Sequence, residues 1–331
     1  MTPQDDTSRS VGSQMSDATM DVPASSAPSR HAADGEAYPV PPPHMAAPAP
    51  APAPAPAHQA GAVSTRKTLV FANDKSSGKT TTANAVLVSL LDRYPMLMRS
   101  VAVREYDRQP RLATIFRKED GLAGMAHFDA RNAQAYDAAR LLAEDPNATP
   151  WDDLLFSLGA GSLVVDLGAN IFADICRILD EEPRPIFPDG GETIGLVVPV
   201  TTAVDSIESA ISAVEAGISW GPRVTVFVVE QEYLGRFDGA PAEWTGFRDH
   251  LSATEGARFH VTRIEKLQVA DIGRVVFQRI DRMVAEAQDM LRSTRLEGAD
   301  YIRAIRKARA EVAWGAKTLG AVQPIADWFA R

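Results

Sequence analysis

The stretch Thr68-Leu-Val-Phe-Ala-Asn-Asp-Lys-Ser-Ser-Gly-Lys-Thr-Thr-Thr-Ala83 decides the fold. A β-rich run, Thr68 to Ala72, gives way to a polar loop that closes on Gly78-Lys79-Thr80, and a predicted helix, Thr81 to Leu91, follows. Strand, loop and helix in that order form the setting that a phosphate-binding loop needs. Backbone N–H groups of such a loop and of the helix N-terminus converge on phosphate oxygens. Lys79 then reaches the β and γ phosphates, and the hydroxyl of Thr80 ligates Mg²⁺. Asn73, Asp74, Ser76, Ser77, Gly78 and Thr81 complete the expected cradle. Measured against G-x-x-x-x-G-K-S/T, the first glycine is Asn73, a residue that tolerates the left-handed conformation better than most. Ser76 and Ser77 are less permissive than glycine and alter the curl of the loop.

Outward from this loop, short apolar runs alternate with helical patterns. The runs are Thr68–Ala72, Ser100–Arg104, Leu163–Asp166, Ile194–Val200, Val224–Val229 and a weaker Arg258–Thr262. Most are continuous Val, Ile and Leu, the mark of strands covered on both faces of a parallel sheet. Between two of them, Val204, Ile207, Ile211, Val214 and Ile218 recur at helical spacing. The fold class is therefore α/β, a mostly parallel sheet with helices on both faces. After Asp271 the strands stop. Two helices are expected, about 272–296 with Met283, Val284, Ala287, Met290 and Leu291 on one face, and about 299–318, with Gly298 as the break.

The ends of the chain read differently. Residues 1–65 hold 12 of the 23 prolines, including an Ala-Pro repeat from Ala46 to Ala57, and are expected to be a disordered or polyproline II-like tail. Residues 66–331 form the folded domain, with 271–331 as its helical extension. No apolar run approaches the roughly 18 residues of a membrane span, and the start MTPQDD has no signal-peptide pattern, so a cytoplasmic protein is expected. The single cysteine, Cys176, excludes an internal disulfide and a cysteine-cluster metal site, and it reads as core. The six histidines show no ligand spacing. A net charge of −9 argues against nucleic acid coating the whole surface. Arg303, Arg306, Lys307 and Arg309 do cluster on adjacent turns of the last predicted helix.

The segment Ala72 to Ala83 resembles the deviant Walker A loop of the ParA/MinD superfamily of P-loop ATPases, A-N-x-K-G-G-x-G-K-T-T-T-A. Aligned on Gly78-Lys79-Thr80, the signature lysine of that family falls on Asp74, and Lys75 stands one place late. A loop shorter by one residue returns Lys75 to that role, which in the family reaches across a nucleotide-sandwich dimer. Val103-Arg-Glu-Tyr-Asp-Arg-Gln-Pro110 is similar to the family's D-x-D-P-Q, with Glu105 and Asp107 in the acidic positions. The resemblance implies that Asp107 orients the attacking water. Leu163-Val-Val-Asp-Leu-Gly-Ala169 is like a Walker B strand, which implies that Asp166 holds Mg²⁺ through water and that Gly168 lets the backbone approach the γ-phosphate. Within the superfamily the chain is similar to the plasmid conjugal-transfer and stability branch, the TraL- and StbB-like proteins, over about 66–275. Where the family often carries an adenine-contacting Asn, Glu230 and Gln231 stand.

The resemblance implies a switch that binds ATP with Mg²⁺ and hydrolyses it, with Lys79, Asp107 and Lys75 catalytic and Thr80 and Asp166 on the metal. It implies a nucleotide-dependent homodimer, a protein partner from a plasmid transfer, mobilisation or partition system, and non-specific DNA as a further partner. Two other readings stay open: a nucleotide-binding adaptor that has lost hydrolysis, and a P-loop small-molecule kinase.

Overall fold

Leu69 and Phe71 pack into one apolar cluster and Val70 and Ala72 into another, and all four are buried. Side chains alternate across a strand, so a strand buried at every position must lie between two covered layers. The computed structural model describes residues 67–73, 77–116, 120, 122–129, 154, 162–169, 171–181, 193–268, 277–293 and 298–331. The expected tail, 1–65, and the loop residues Asp74, Lys75 and Ser76 lie outside that set.

The strands are β1 (Lys67–Phe71), β2 (Ala102–Asp107), β3 (Gly124–Asp129), β4 (Leu163–Leu167), β5 (Thr193–Val200), β6 (Val224–Gln231) and β7 (Phe259–Ile264). They form one seven-stranded sheet in the order β3-β2-β4-β1-β5-β6-β7, and every pairing is parallel. The helices are α1 (Lys79–Arg93), α2 (Pro95–Met98), α3 (Arg111–Ile115), α4 (Ile171–Glu181), α5 (Val204–Ser219), α6 (Ala242–Thr254), α7 (Ile280–Arg292) and α8 (Gly298–Ala330). Helices α1, α3, α7 and α8 share one apolar cluster with Leu69, Phe71, Val197 and Phe227; α4, α5 and α6 share the other with Val70, Leu196 and Val226. The expected α/β fold with helices on both faces is the observed one.

Several boundaries differ from the sequence reading. β2 starts at Ala102 and runs on to Asp107, three residues past Arg104, so the acidic pair belongs to the strand itself. β3 was not anticipated. It is an edge strand with Gly, Ala and His among its residues, and it offers no continuous apolar run. On α5 the buried positions are Ser206, Ile207, Ala210, Ala213, Val214 and Gly217, while Val204, expected on the stripe, is 65% exposed. On α7, Met283 and Ala287 are buried but Met290 is exposed.

The last helix continues to Ala330, twelve residues beyond the expected Thr318, with Pro324 inside it. A proline offers no N–H to the carbonyl four residues back, here Gly320. Packing sustains the helix instead. Trp314, Val322, Ile325, Ala326 and Phe329 are buried, and the hydroxyl of Thr262 donates to the carbonyl of Ala321 at 2.7 Å. No helix among the described residues is long and apolar enough to cross a membrane.

Candidate functional site

In register, Phe71 on β1 lies beside Asp166 on β4, and Asp166 lies beside Glu105 on β2. The carboxyl ends of three central strands therefore meet at one place, the edge where open α/β sheets hold ligands. The expected phosphate loop rises from the same place. Asn73 leaves β1 buried, and its amide donates to the carbonyl of Pro199 at 2.8 Å and to that of Ser206 at 3.3 Å. Asn73 thus ties the loop's first turn to the end of β5 and the start of α5, which is more than standing in for a glycine.

Gly78 closes the loop in the left-handed region, φ 85°, where a side chain is strained. Helix α1 starts at once with Lys79. The first N–H groups of any helix have no intrahelical partner and point out of its N-terminal end, and the residue at the cap, Gly78, has no side chain to take them, which is the arrangement that suits an anion. The Lys79 ammonium donates to the carbonyl of Asn73 and so bridges the two ends of the loop. Thr80 turns its hydroxyl to Asp166, donating to Oδ2 at 3.1 Å. The structure thus brings Asn73, Gly78, Lys79, Thr80 and Asp166 together, with Thr81 next along the helix and Ser77 buried beside Gly78.

Asp166 is buried, and its Oδ1 has no hydrogen-bond partner among the described residues. Burial pushes its carboxyl up to about 7; Lys79 pulls it down, and Glu105 and Asp107 push it up again. A hydroxyl beside a carboxylate with a spare oxygen fits a hard divalent cation such as Mg²⁺. No group of three or more metal-ligating side chains exists among the described residues, so such an ion would take its remaining ligands from phosphate oxygens and water.

The two acidic positions on β2 part company. Glu105 is fully buried, and its carboxylate accepts from the backbone N–H of Leu112 at 2.8 Å and of Ala113 at 2.9 Å. It caps the start of helix α3, and both of its oxygens are engaged there. Asp107 is half-buried at the strand end, where one carboxylate oxygen accepts from the N–H of Arg108 at 2.5 Å. Gly168 has a packing reason: a Cβ there would come within 2.7 Å of the Tyr106 carbonyl and 3.1 Å of the Asp107 Cα. Its missing side chain lets the turn after β4 close on β2, which holds Asp107 near Asp166.

Two residues that the sequence reading noted only for standing where the family often carries an Asn turn out to hold the site's surroundings in place. Gln231, the last residue of β6, is buried and donates its amide to the hydroxyl of Thr82 at 2.7 Å. Its neighbour Glu230 is buried in ion pairs with Arg248 at 3.1 Å and Arg263 at 2.8 Å, and it accepts from the indole N–H of Trp244. Polar residues at the end of an otherwise apolar strand were the available signal.

No protein-family pattern and no curated protein sequence matches the chain. Among solved structures, it is similar to FlhF complexed with GTP and Mg²⁺ at 15% identity and TM-score 0.31, covering 62% of this chain and 68% of that one. It is similar to an aspartate-to-alanine variant of Cyanothece McdA bound to ATP, at 15% identity and TM-score 0.33, covering 61% and 84%. A putative plasmid partition protein from Borrelia burgdorferi, bound to AMPPNP, matches at 13% identity and TM-score 0.37, covering 76% and 99%. Likenesses this weak decide nothing about the chemistry of this chain.

Proposed function

We propose that this chain binds ATP with Mg²⁺ and hydrolyses it as a molecular switch of ParA/MinD type, serving plasmid transfer, mobilisation or partition. The observation that carries the reading is the Thr80–Asp166 hydrogen bond at the open end of α1, beside an ammonium that spans the phosphate loop. In this reading the N–H groups of the first turn of α1 and the Lys79 ammonium hold the β and γ phosphates. Thr80 and Asp166 hold Mg²⁺, which neutralises phosphate charge when bound. Asp107 orients the water that attacks the γ-phosphate. Lys75, the lysine of the altered loop, completes the site across a nucleotide-dependent homodimer. The exposed face of α8 with Arg303, Arg306 and Arg309 serves a protein partner or DNA.

A second reading, an adaptor that binds ATP without turning it over, draws on one observation. Glu105, in the first acidic position, is consumed by the N–H groups of α3, so only Asp107 remains to act on water.

The decisive experiment titrates ATP·Mg²⁺ against the parent and Lys79→Ala. The variant is expected to lose binding by at least about a hundredfold while its melting temperature holds, because the lysine serves the ligand rather than the core. Equal affinities would overturn the nucleotide reading, and binding without hydrolysis in the parent would favour the adaptor.

A further inference from the structure

The carbonyl of Gly78 is held twice by one residue: the N–H of Thr82 and the hydroxyl of Thr82 both donate to it at 2.9 Å. A trans peptide is planar, with C=O and N–H pointing opposite ways. Fixing the Gly78 carbonyl along α1 therefore aims the N–H of Lys79 out of the helix, where a phosphate would sit. The hydroxyl that does this is in turn held by Gln231, whose amide donates to it at 2.7 Å. Gln231 also fills the space beside Gly78, since a Cβ there would lie 3.1 Å from its Cδ and 3.3 Å from its Cγ.

The strand end carrying Gln231 is anchored. Glu230, one residue earlier, pairs with Arg248 of α6 and Arg263 of β7 and accepts from Trp244. The N–H of Glu232, one residue later, donates to the Ile264 carbonyl at 3.0 Å. Gln231 thus reaches the loop from a fixed point two strands away from β1.

We propose that Gln231 is a positioning residue for the phosphate loop, setting the orientation of the Gly78–Lys79 peptide through Thr82. This rests on the nucleotide-binding reading above and adds to it the side chain that orients the loop. A carboxylate in place of the amide has no N–H to give and would claim the single hydroxyl proton of Thr82, taking it from the Gly78 carbonyl.

The test measures ATP·Mg²⁺ affinity, steady-state hydrolysis and exchange of the Thr82 amide in the nucleotide-free protein. Gln231→Ala and Gln231→Glu are expected to weaken ATP binding roughly tenfold, the scale of one lost buried hydrogen bond. KM should rise with kcat little changed, and the Thr82 amide should exchange faster while the last turn of α1 does not. In a Thr82→Val background, Gln231→Ala should add nothing, because its target is gone. Parent-like affinity in Gln231→Ala, or losses that add in full, would overturn the proposal. A parent that binds no ATP would sink the nucleotide reading instead, and an unchanged Thr82 exchange rate would then sink the role of Gln231 on its own.

Discussion

Glu105 and Asp166 sit side by side on adjacent strands, both carboxylates, both buried, both held above the ordinary carboxylate range mainly by burial. They differ in what their oxygens do. Glu105 spends both on the backbone of α3, whereas Asp166 spends one on Thr80 and keeps the other without a partner among the described residues. Burial and a raised pKa therefore do not by themselves mark a ligand site. The unspent acceptor next to the Lys79 ammonium and the open end of α1 is what separates the two.

The largest expected effects fall on stability and should have opposite signs. Glu105→Ala leaves two backbone N–H groups without acceptors and should cost roughly 2–6 kcal/mol, at 1–3 kcal/mol for each unsatisfied buried group. Asp166→Asn in nucleotide-free protein removes a charge from a buried place and should leave the fold unharmed or stronger at pH 8. The sign of the pH dependence follows from Asp166 itself. Its folded value, about 7, lies above the ordinary 3.8, so the folded protein binds this proton more tightly. That contribution is complete below 3.8, is lost as pH rises towards 7, and is flat above it. A gap of this size caps the loss at about 4 kcal/mol. Urea unfolding at pH 5 and pH 8 should show the parent losing more stability over the interval than Asp166→Asn. Equal losses would break the contrast with Glu105.

Hydrolysis should divide the carboxylates again. Asp107→Ala is expected to slow single-turnover hydrolysis on the order of a hundredfold with ATP affinity little changed, as for a group acting mainly in the transition state. Asp166→Ala should weaken Mg²⁺-dependent binding as well. If Asp107→Ala turns over ATP at the parent rate, Asp107 has no hand in the chemistry and the adaptor reading gains.

How far these residues could be read in advance depended on where their signals came from. The β1–loop–α1 segment announced itself because a strand, a Gly-Lys-Thr and a helix are local features of one stretch of chain. The central strands did so because burial on both faces forces continuous apolar runs, as in Val224 to Val229. β3 did not, since an edge strand is half exposed and needs no such run. The length of α8 was hidden by Pro324 and by small residues such as Gly315 and Gly320; tertiary packing against α1 and α7 overrides their weak helix propensity. Glu105 matched an acidic position of the family motif, but sequence shows a carboxylate's position and not what its oxygens bond. Gln231 was passed over for the converse reason: its partner Thr82 is 149 residues away in the chain.

The smallest expected effect is the most direct probe of how the two carboxylates are linked. Glu105 raises the Asp166 pKa through its negative charge, behind the burial that dominates. Glu105→Gln keeps the size of the side chain and one acceptor oxygen for the N–H groups of α3, and it removes the charge. The variant should fold less firmly than the parent, since one N–H loses its acceptor, yet better than Glu105→Ala. In that folded variant the Asp166 midpoint, followed by the chemical shift of its carboxyl carbon, should move down from about 7 but stay well above 3.8, because burial is untouched. A midpoint that fell all the way to the ordinary value would show that charge rather than burial raises it. A midpoint that did not move would mean that Glu105 carries no charge in the folded protein at the pH where Asp166 titrates. The pair would then be linked through the backbone of β2 and β4 alone.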